Sequence, residues 1–344
     1  MKVLFNSKYK TNKIHTGVDR VARAYYGYLN KYYNLDEYDY LYKNKYLKNI
    51  EEQFLLPFEA VNYTFVIHPG NTAPIIKMNA FEILVIHDLA FLDFPEGFNS
   101  IFSYWYKILI PKIIQTKNHI VTVSKFSKER IVEEYNIDPE NITVIPNGYS
   151  LISYEILPNH SEFNHFLAVG TFNKRKNHIT IIKAHKRLPS DIRQRYPLRI
   201  VGGWENNYQD DNLSTLVDEH IIIEGYINED RLNQLYKNAL ALISASKYEG
   251  FGLPILEAIA RGTIPLVSNI PPYIEILGNE YPLLFESENV DKLANVMYDL
   301  TAERKNIIDR FNLKKQFKLI LDHHQWDNNL VALRNIIENQ NKQL

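Results

Sequence analysis

Two carboxylates flank a Gly-Phe-Gly-Leu-Pro corner in the run Glu249-Gly250-Phe251-Gly252-Leu253-Pro254-Ile255-Leu256-Glu257. Gly250 and Gly252 can take positive φ and let a ligand approach the backbone. Pro254 suits the first turn of a helix, where its missing N–H costs nothing. Ile255, Leu256, Ala258, Ile259 and Ala260 then continue as a buried helix. The N–H groups of Phe251, Gly252 and Leu253 would sit at the helix N-terminus, which suits phosphate. Glu249 precedes that end and Glu257 lies one turn inside it. Acids on both sides of a phosphate seat make sense if they bind hydroxyl groups. A second run, Gly170-Thr171-Phe172-Asn173-Lys174-Arg175-Lys176-Asn177-His178, follows an apolar stretch and precedes a helical one. Its N–H groups and cations suit a diphosphate. As a plain basic helix start it would oppose the helix dipole.

Other loops carry weaker signals. His87-Asp88-Leu89 follows an apolar run; His87 can donate to a hydroxyl and Asp88 can accept from one, or the pair can be a structural histidine and a turn acid. In Thr16-Gly17-Val18-Asp19-Arg20, Gly17 permits close approach, and Arg20 either holds a phosphate or pairs with a neighbouring acid. Val201-Gly202-Gly203-Trp204 and Gly225-Tyr226-Ile227 end further apolar runs, as does the loop containing Asn71.

The elements that must position these residues read as alternating short apolar runs and amphipathic stretches, the pattern of α/β with mostly parallel sheets. Strands are predicted at residues 3–5, 64–67, 83–86, 119–123, 166–170, 198–201, 221–223, 241–244 and 264–267. Helices are predicted at 17–30, 179–188, 229–237, 254–261 and 290–300, while 36–49 resists assignment. This is a doubly wound pattern, with ligands at the carboxyl ends of strands. The polar stretch Ser150–Asn164 reads as a boundary. Phe98–Ile114 fits a core-packed helix better than a membrane-surface one.

A chain of 344 residues is comfortable for two domains. Zero cysteines removes disulfides, thiolate nucleophiles and cysteine-ligated zinc, and suits a reducing compartment. The opening Met-Lys-Val-Leu-Phe-Asn-Ser is too short an apolar run for a signal peptide, and no apolar stretch approaches the roughly 18 residues of a membrane span. A net charge of −1 gives no field for nucleic acid. Residues 1–50 nevertheless carry 10 Lys/Arg against 4 Asp/Glu, and 201–250 carry 3 against 9. The basic end suits an anionic lipid-linked acceptor or membrane surface, or simply solvated helix faces.

The stretch Lys247–Ala258 resembles the signature of retaining GT-B glycosyltransferases of family 4, and the resemblance extends over essentially the whole chain. It implies two doubly wound Rossmann-like domains facing across a cleft: an acceptor-side domain over 1–155, a nucleotide-sugar donor domain over 156–322, and a C-terminal helix over 323–344 returning to the first. It places donor binding at Gly17, Gly170, Thr171, Arg175, Lys176, Gly202, Tyr226, Ile227, Glu249, Phe251, Gly252, Leu253 and Glu257. Within that set Glu257 binds the ribose, Glu249 sits by the transferred sugar and Lys176 contacts the phosphates. Thr171 stands where some relatives have an arginine. His87 and Asp88 join Lys176 and Glu249 as the catalytic candidates; Val18, Arg20 and Asn71 are weaker acceptor candidates.

The implied enzyme is a metal-independent, retaining hexosyltransferase of bacterial surface polysaccharide synthesis, resembling mannosyltransferases. Its donor is a GDP-, UDP- or dTDP-sugar, its acceptor a glycan or polyprenyl-linked glycan, and it needs no cofactor. It is expected in the cytoplasm, with peripheral contact at the inner face of the membrane. No carboxylate stands out as a nucleophile. The family precedent is a front-face reaction in which the departing diphosphate takes the acceptor proton. The absence of a Gly-x-Gly-x-x-Gly after a strand argues against a nicotinamide dehydrogenase. A non-catalytic nucleotide-sugar binding subunit is the alternative from another class.

Overall fold

The structure is a computed structural model that describes residues 1–11, 17–97, 100–149, 156–157, 163–204 and 216–343. The chain divides into two compact units. The first comprises Met1–Pro95, Ser100–Gly148 and Gln325–Leu344, the second Glu96–Asn99 and Tyr149–His324. Residues 150–155 and 158–162, most of the expected boundary, lie outside the described residues, as does Thr16.

Unit 1 holds strands β1 (Val3–Asn6), β2 (Leu35–Tyr38), β3 (Phe65–His68), β4 (Phe81–Ile86), β5 (His119–Thr122) and β6 (Ile142–Val144) in the order β2-β1-β3-β4-β5-β6. Every neighbouring pair is parallel. Val3, Leu4, Phe5, Val66, Ile67, Leu84 and Val85 are fully buried, as continuous apolar runs must be when helices cover both faces of a parallel sheet. The segment 36–49 resolves into edge strand β2 and the helix Lys45–Phe54, which starts at Asn44, whose side chain accepts the Tyr46 and Leu47 N–H groups. At the other end of the chain, Trp326–Asn329 and Val331–Asn341 are helical and pack within unit 1. Trp326 meets Tyr25 edge-on at 6.3 Å, Asn329 donates to the Pro146 carbonyl at 2.9 Å, and Asp327 pairs with Lys31 at 2.8 Å.

Unit 2 holds β7 (His165–Val169), β8 (Leu198–Val201), β9 (Ile221–Gly225), β10 (Ala239–Ser244), β11 (Ile264–Ser268) and β12 (Leu284–Phe285), ordered β12-β11-β10-β7-β8-β9 and parallel throughout. The strand order reverses direction at β7, so the loops leaving β7 and β10 flank a topological switch point. Helices begin where polar caps satisfy their first N–H groups: Asn228 accepts from Arg231, and Asn289 from Lys292. Among the described residues no helix is long and apolar enough to cross a membrane.

Candidate functional site

In unit 2 the two runs singled out by sequence are tied together at the carboxyl ends of β7 and β10. The Lys247 N–H donates to the Arg175 carbonyl at 2.8 Å. Arg175 Nη1 donates to the Tyr248 carbonyl at 3.0 Å and to Glu249 Oε2 at 2.8 Å. Lys176 Nζ donates to Glu249 Oε1 at 2.5 Å. The same oxygen accepts from Ser246 Oγ at 2.8 Å and from the Tyr273 hydroxyl at 3.4 Å. Glu249 is therefore buried with both oxygens engaged. Burial alone would raise its pKa; the charges of Lys176 and then Arg175 outweigh that and hold it at about 2. The cluster brings two cations to this one carboxylate at the carboxyl ends of the strands. His178, buried against Phe172 at 4.6 Å, adds none, because burial and then Lys176 press its pKa down to about 3.

The seat beside this cluster is the start of the helix Leu253–Ala260, with Pro254 in its first turn. Gly252 precedes it at φ +124°, and a Cβ there would stand 2.8 Å from the Tyr273 ring. Phe251 is buried, 5.9 Å from the His324 ring. Glu257 is half-buried on the helix, and its Oε2 accepts the Tyr236 hydroxyl at 3.0 Å.

The glycines after β7 and β8 let two loops touch. Gly202 has φ +142°, and a Cβ on it would lie 2.1 Å from the Gly170 carbonyl oxygen and 3.1 Å from the Thr171 nitrogen. The Lys176 stem lies over Gly170, its Cδ and Cε 3.3 Å from where a Cβ would be. Trp204 stacks on Phe172 at 4.4 Å and 15°. Tyr226 is exposed and lies over Gly203, whereas Ile227 packs into the core beside Leu167 and Val201.

A second group assembles in unit 1 at the carboxyl ends of β3 and β4. The His87 N–H donates to Asn71 Oδ1 at 2.8 Å, and its Nε2 donates to the Pro69 carbonyl at 2.9 Å. Burial lowers the ring's pKa against the opposing pull of Pro69, Asp88 and Asp19. A neutral ring with Nε2–H committed leaves Nδ1 as an acceptor, so His87 is not arranged to donate to a sugar hydroxyl. Asp88 Oδ1 accepts the Ala90 N–H at 3.0 Å, which is a turn role. Gly17 opens the helix Gly17–Leu29, and Val18 lies 3.8 Å from the Cβ position of Gly70 in the His87-binding loop. Asn71 thus positions His87, and Arg20 sits half-buried on the Gly17–Leu29 helix.

Sequence reasoning missed Ser246, Tyr273, Tyr236 and Asp19. The Ser244-Ala245-Ser246 run just ahead of Glu249 was a legible hint, and Asp19 stood inside a run already singled out. Tyr273 reaches Glu249 from 24 residues away with no local signal.

The family profile described as "Glycosyl transferases group 1" matches residues 154–319, and that described as "Glycosyltransferase Family 4" matches 36–151. The O-antigen chain mannosyltransferase RfbU of Salmonella typhimurium is 31% identical over 255 residues, 73% of this chain and 68% of that protein. The chain belongs to the group 1 glycosyl transferases. A second relative of this glycosyltransferase is the UDP-Gal:alpha-D-GlcNAc-diphosphoundecaprenol alpha-1,3-galactosyltransferase of Escherichia coli. It is 25% identical over 267 residues, 69% of this chain and 67% of that one. Each alignment therefore spans about two thirds of the relative. Among solved structures, Anabaena HepE in complex with UDP-glucose superposes with a TM-score of 0.75 at 13% identity, covering 98% of this chain and all of that one. At that identity the likeness concerns the fold, which is GT-B.

Proposed function

We propose that this glycosyltransferase moves a hexose from a nucleotide-sugar to a glycan or lipid-linked glycan, with retention at the anomeric carbon, in bacterial surface polysaccharide synthesis. The observation that carries the reading is the Lys176–Glu249–Arg175 cluster beside the start of the helix Leu253–Ala260. Its two cations and the adjoining helix N-terminus favour a diphosphate, and favour it more as charge builds on the leaving group. Glu249, with both oxygens committed and a depressed pKa, is poorly placed to attack carbon. That supports a front-face transfer in which the diphosphate accepts the acceptor proton and Glu249 fixes the two cations. Glu257, held by Tyr236, binds the ribose; Gly170, Thr171 and Gly202 let the donor approach the backbone, and Tyr226 and Ile227 border the base. In unit 1, Asn71 orients His87, whose Nδ1 accepts from a substrate hydroxyl. The cations take the place of a metal, so turnover persists in chelator.

The relatives' names point to mannosyl or galactosyl transfer and to a diphosphoundecaprenol-linked acceptor as the first substrates to try. The test incubates the protein with GDP-mannose and UDP-galactose against lipid-linked glycans and reads nucleoside diphosphate release and the one-bond C1–H1 coupling at the product's anomeric centre. Release with the donor's own anomeric configuration is expected. An inverted product, or donor binding with no release, would defeat the proposal.

A further inference from the structure

Glu257 is gripped by a buried tyrosine from a different helix of unit 2. Tyr236 lies in the helix Glu229–Asn238, which precedes β10, and Glu257 in the helix Leu253–Ala260, which follows it. Tyr236 is fully buried and shares one apolar cluster with Leu232, Leu235, Leu242 and Ala258. Its hydroxyl reaches across to the second helix and donates to Glu257 Oε2 at 3.0 Å. Its carbonyl accepts the Thr263 hydroxyl, so the main chain is fastened as well as the ring.

Arg261 completes the arrangement. Its guanidinium sits over the Tyr236 ring, 5.1 Å from the centroid, and the residue is only 7% exposed. It donates through Nε to Asn233 Oδ1 at 2.7 Å and through Nη1 to the Glu257 carbonyl at 3.0 Å. Arg261 thus joins the same two helices that the Tyr236 hydroxyl joins. Both of these acceptors are neutral, and the charge lies against the ring. A cation over a phenol draws electron density from it and makes its O–H a stronger donor to a carboxylate.

What this does to Glu257 follows from entropy and hydration. An unheld glutamate on a helix turns about its χ angles, and water replaces any ligand hydroxyl that it loses, so the loss costs little. Glu257 is half-buried and tied at Oε2 to a side chain packed in the core. Its carboxylate therefore meets a ligand in one orientation. A matching hydroxyl is bound without a further ordering cost, and a missing one leaves a site built for it short of a donor. Position indicates which hydroxyls these are. Glu257 stands four residues beyond Leu253 at the helix start, about 6 Å along the axis at the α-helical rise. One nucleotide spans that interval between its phosphates and its ribose diol.

We propose that Tyr236, backed by Arg261, is the positioning residue that makes this site select ribose over deoxyribose, so that the donor is a GDP- or UDP-sugar and not a dTDP-sugar. The inference rests on the reading of Glu257 as the ribose group and deepens it by choosing among the donor nucleotides. Calorimetric titration compares UDP with deoxyuridine diphosphate and GDP with deoxyguanosine diphosphate, on wild type, Tyr236→Phe, Arg261→Gln and Glu257→Ala. In the pair that wild type binds, the ribonucleotide should bind roughly tenfold tighter or more than its deoxy form. Tyr236→Phe keeps the ring under Arg261 and removes only the hydroxyl. It should narrow the ratio to roughly threefold or less, by weakening the ribonucleotide alone. Arg261→Gln, which keeps the hydroxyl and removes the cation, should give an intermediate ratio, and it decides the matter if Tyr236→Phe does not fold. A general loosening of the fold weakens both forms alike and leaves the ratio where it was. Equal affinities on wild type overturn the proposal, and so does a full wild-type ratio in the folded variants of Tyr236 and Arg261. Glu257→Ala separates that failure from a failure of the ribose reading. A ratio lost there but kept in Tyr236→Phe leaves Glu257 on the ribose and takes Tyr236 out of the account. A ratio kept in both takes Glu257 off the ribose.

Discussion

Glu249 enters the site as the charge that holds two cations. Its type and position were legible in sequence, and so were those of Arg175 and Lys176. Their direct pairing was not, because it depends on a backbone bond from Lys247 to Arg175 that joins loops leaving different strands. His87 was legible as a candidate, yet its donor nitrogen is spent on Pro69, which residue type alone does not disclose. The pairing has a pH signature. The Glu249 carboxyl lies at about 2 in the folded protein against an ordinary 4.5, so its stabilisation is complete above about pH 4.5 and is lost as pH falls toward 2. Glu249→Gln should cost about 3 kcal/mol at neutral pH by removing the buried carboxylate charge that pairs with Lys176 and Arg175. It should also flatten the acid limb of stability, read by urea unfolding between neutrality and the acid edge. Acid limbs that run parallel in the two proteins would contradict the assignment.

At the scale of elements, the central strands were predictable because burial on both faces demands unbroken apolar runs. Strands β2, β6 and β12 were not. Leu35-Asp36-Glu37-Tyr38 shows only its end residues to the core, and Leu284-Phe285 is two residues long. The helix Lys45–Phe54 escaped assignment because its polarity is inverted: Glu51 and Glu52 are buried while Tyr46 and Phe54 are exposed. Loop contact in unit 2 depends instead on missing side chains. Gly202→Ala would force a Cβ to within 2.1 Å of the Gly170 oxygen at φ +142°, and should cost about 3 kcal/mol or more. Gly27→Ala is the control: it lies within the helix Gly17–Leu29 with nothing within 4 Å of its Cβ position, and should stabilise by about 0.5–1 kcal/mol. Chemical denaturation separates the two. Equal effects would show that the contact between the β7 and β8 loops carries no weight.

Across the whole molecule, two doubly wound units with mostly parallel sheets were foreseeable from the repeating apolar runs, though three of the twelve strands were not. The uneven charge proves less informative than it looked. Lys8, Lys10 and Lys31 of the basic end are paired with Glu52, Glu37 and Asp327, and in the acidic stretch Asp218 and Glu224 are paired with Arg193 and Arg199. With a net charge of −1 for the whole chain, the proposed function rests the affinity for an anionic donor on the local cations at the carboxyl end of β7. Calorimetric titration of GDP, UDP and dTDP into wild type and Lys176→Ala tests this directly. At least one nucleoside diphosphate should bind wild type and lose roughly ten- to a hundredfold in affinity in the variant, the worth of a hydrogen bond to a charged group. A folded Lys176→Ala protein that binds that diphosphate as tightly as wild type would contradict the account.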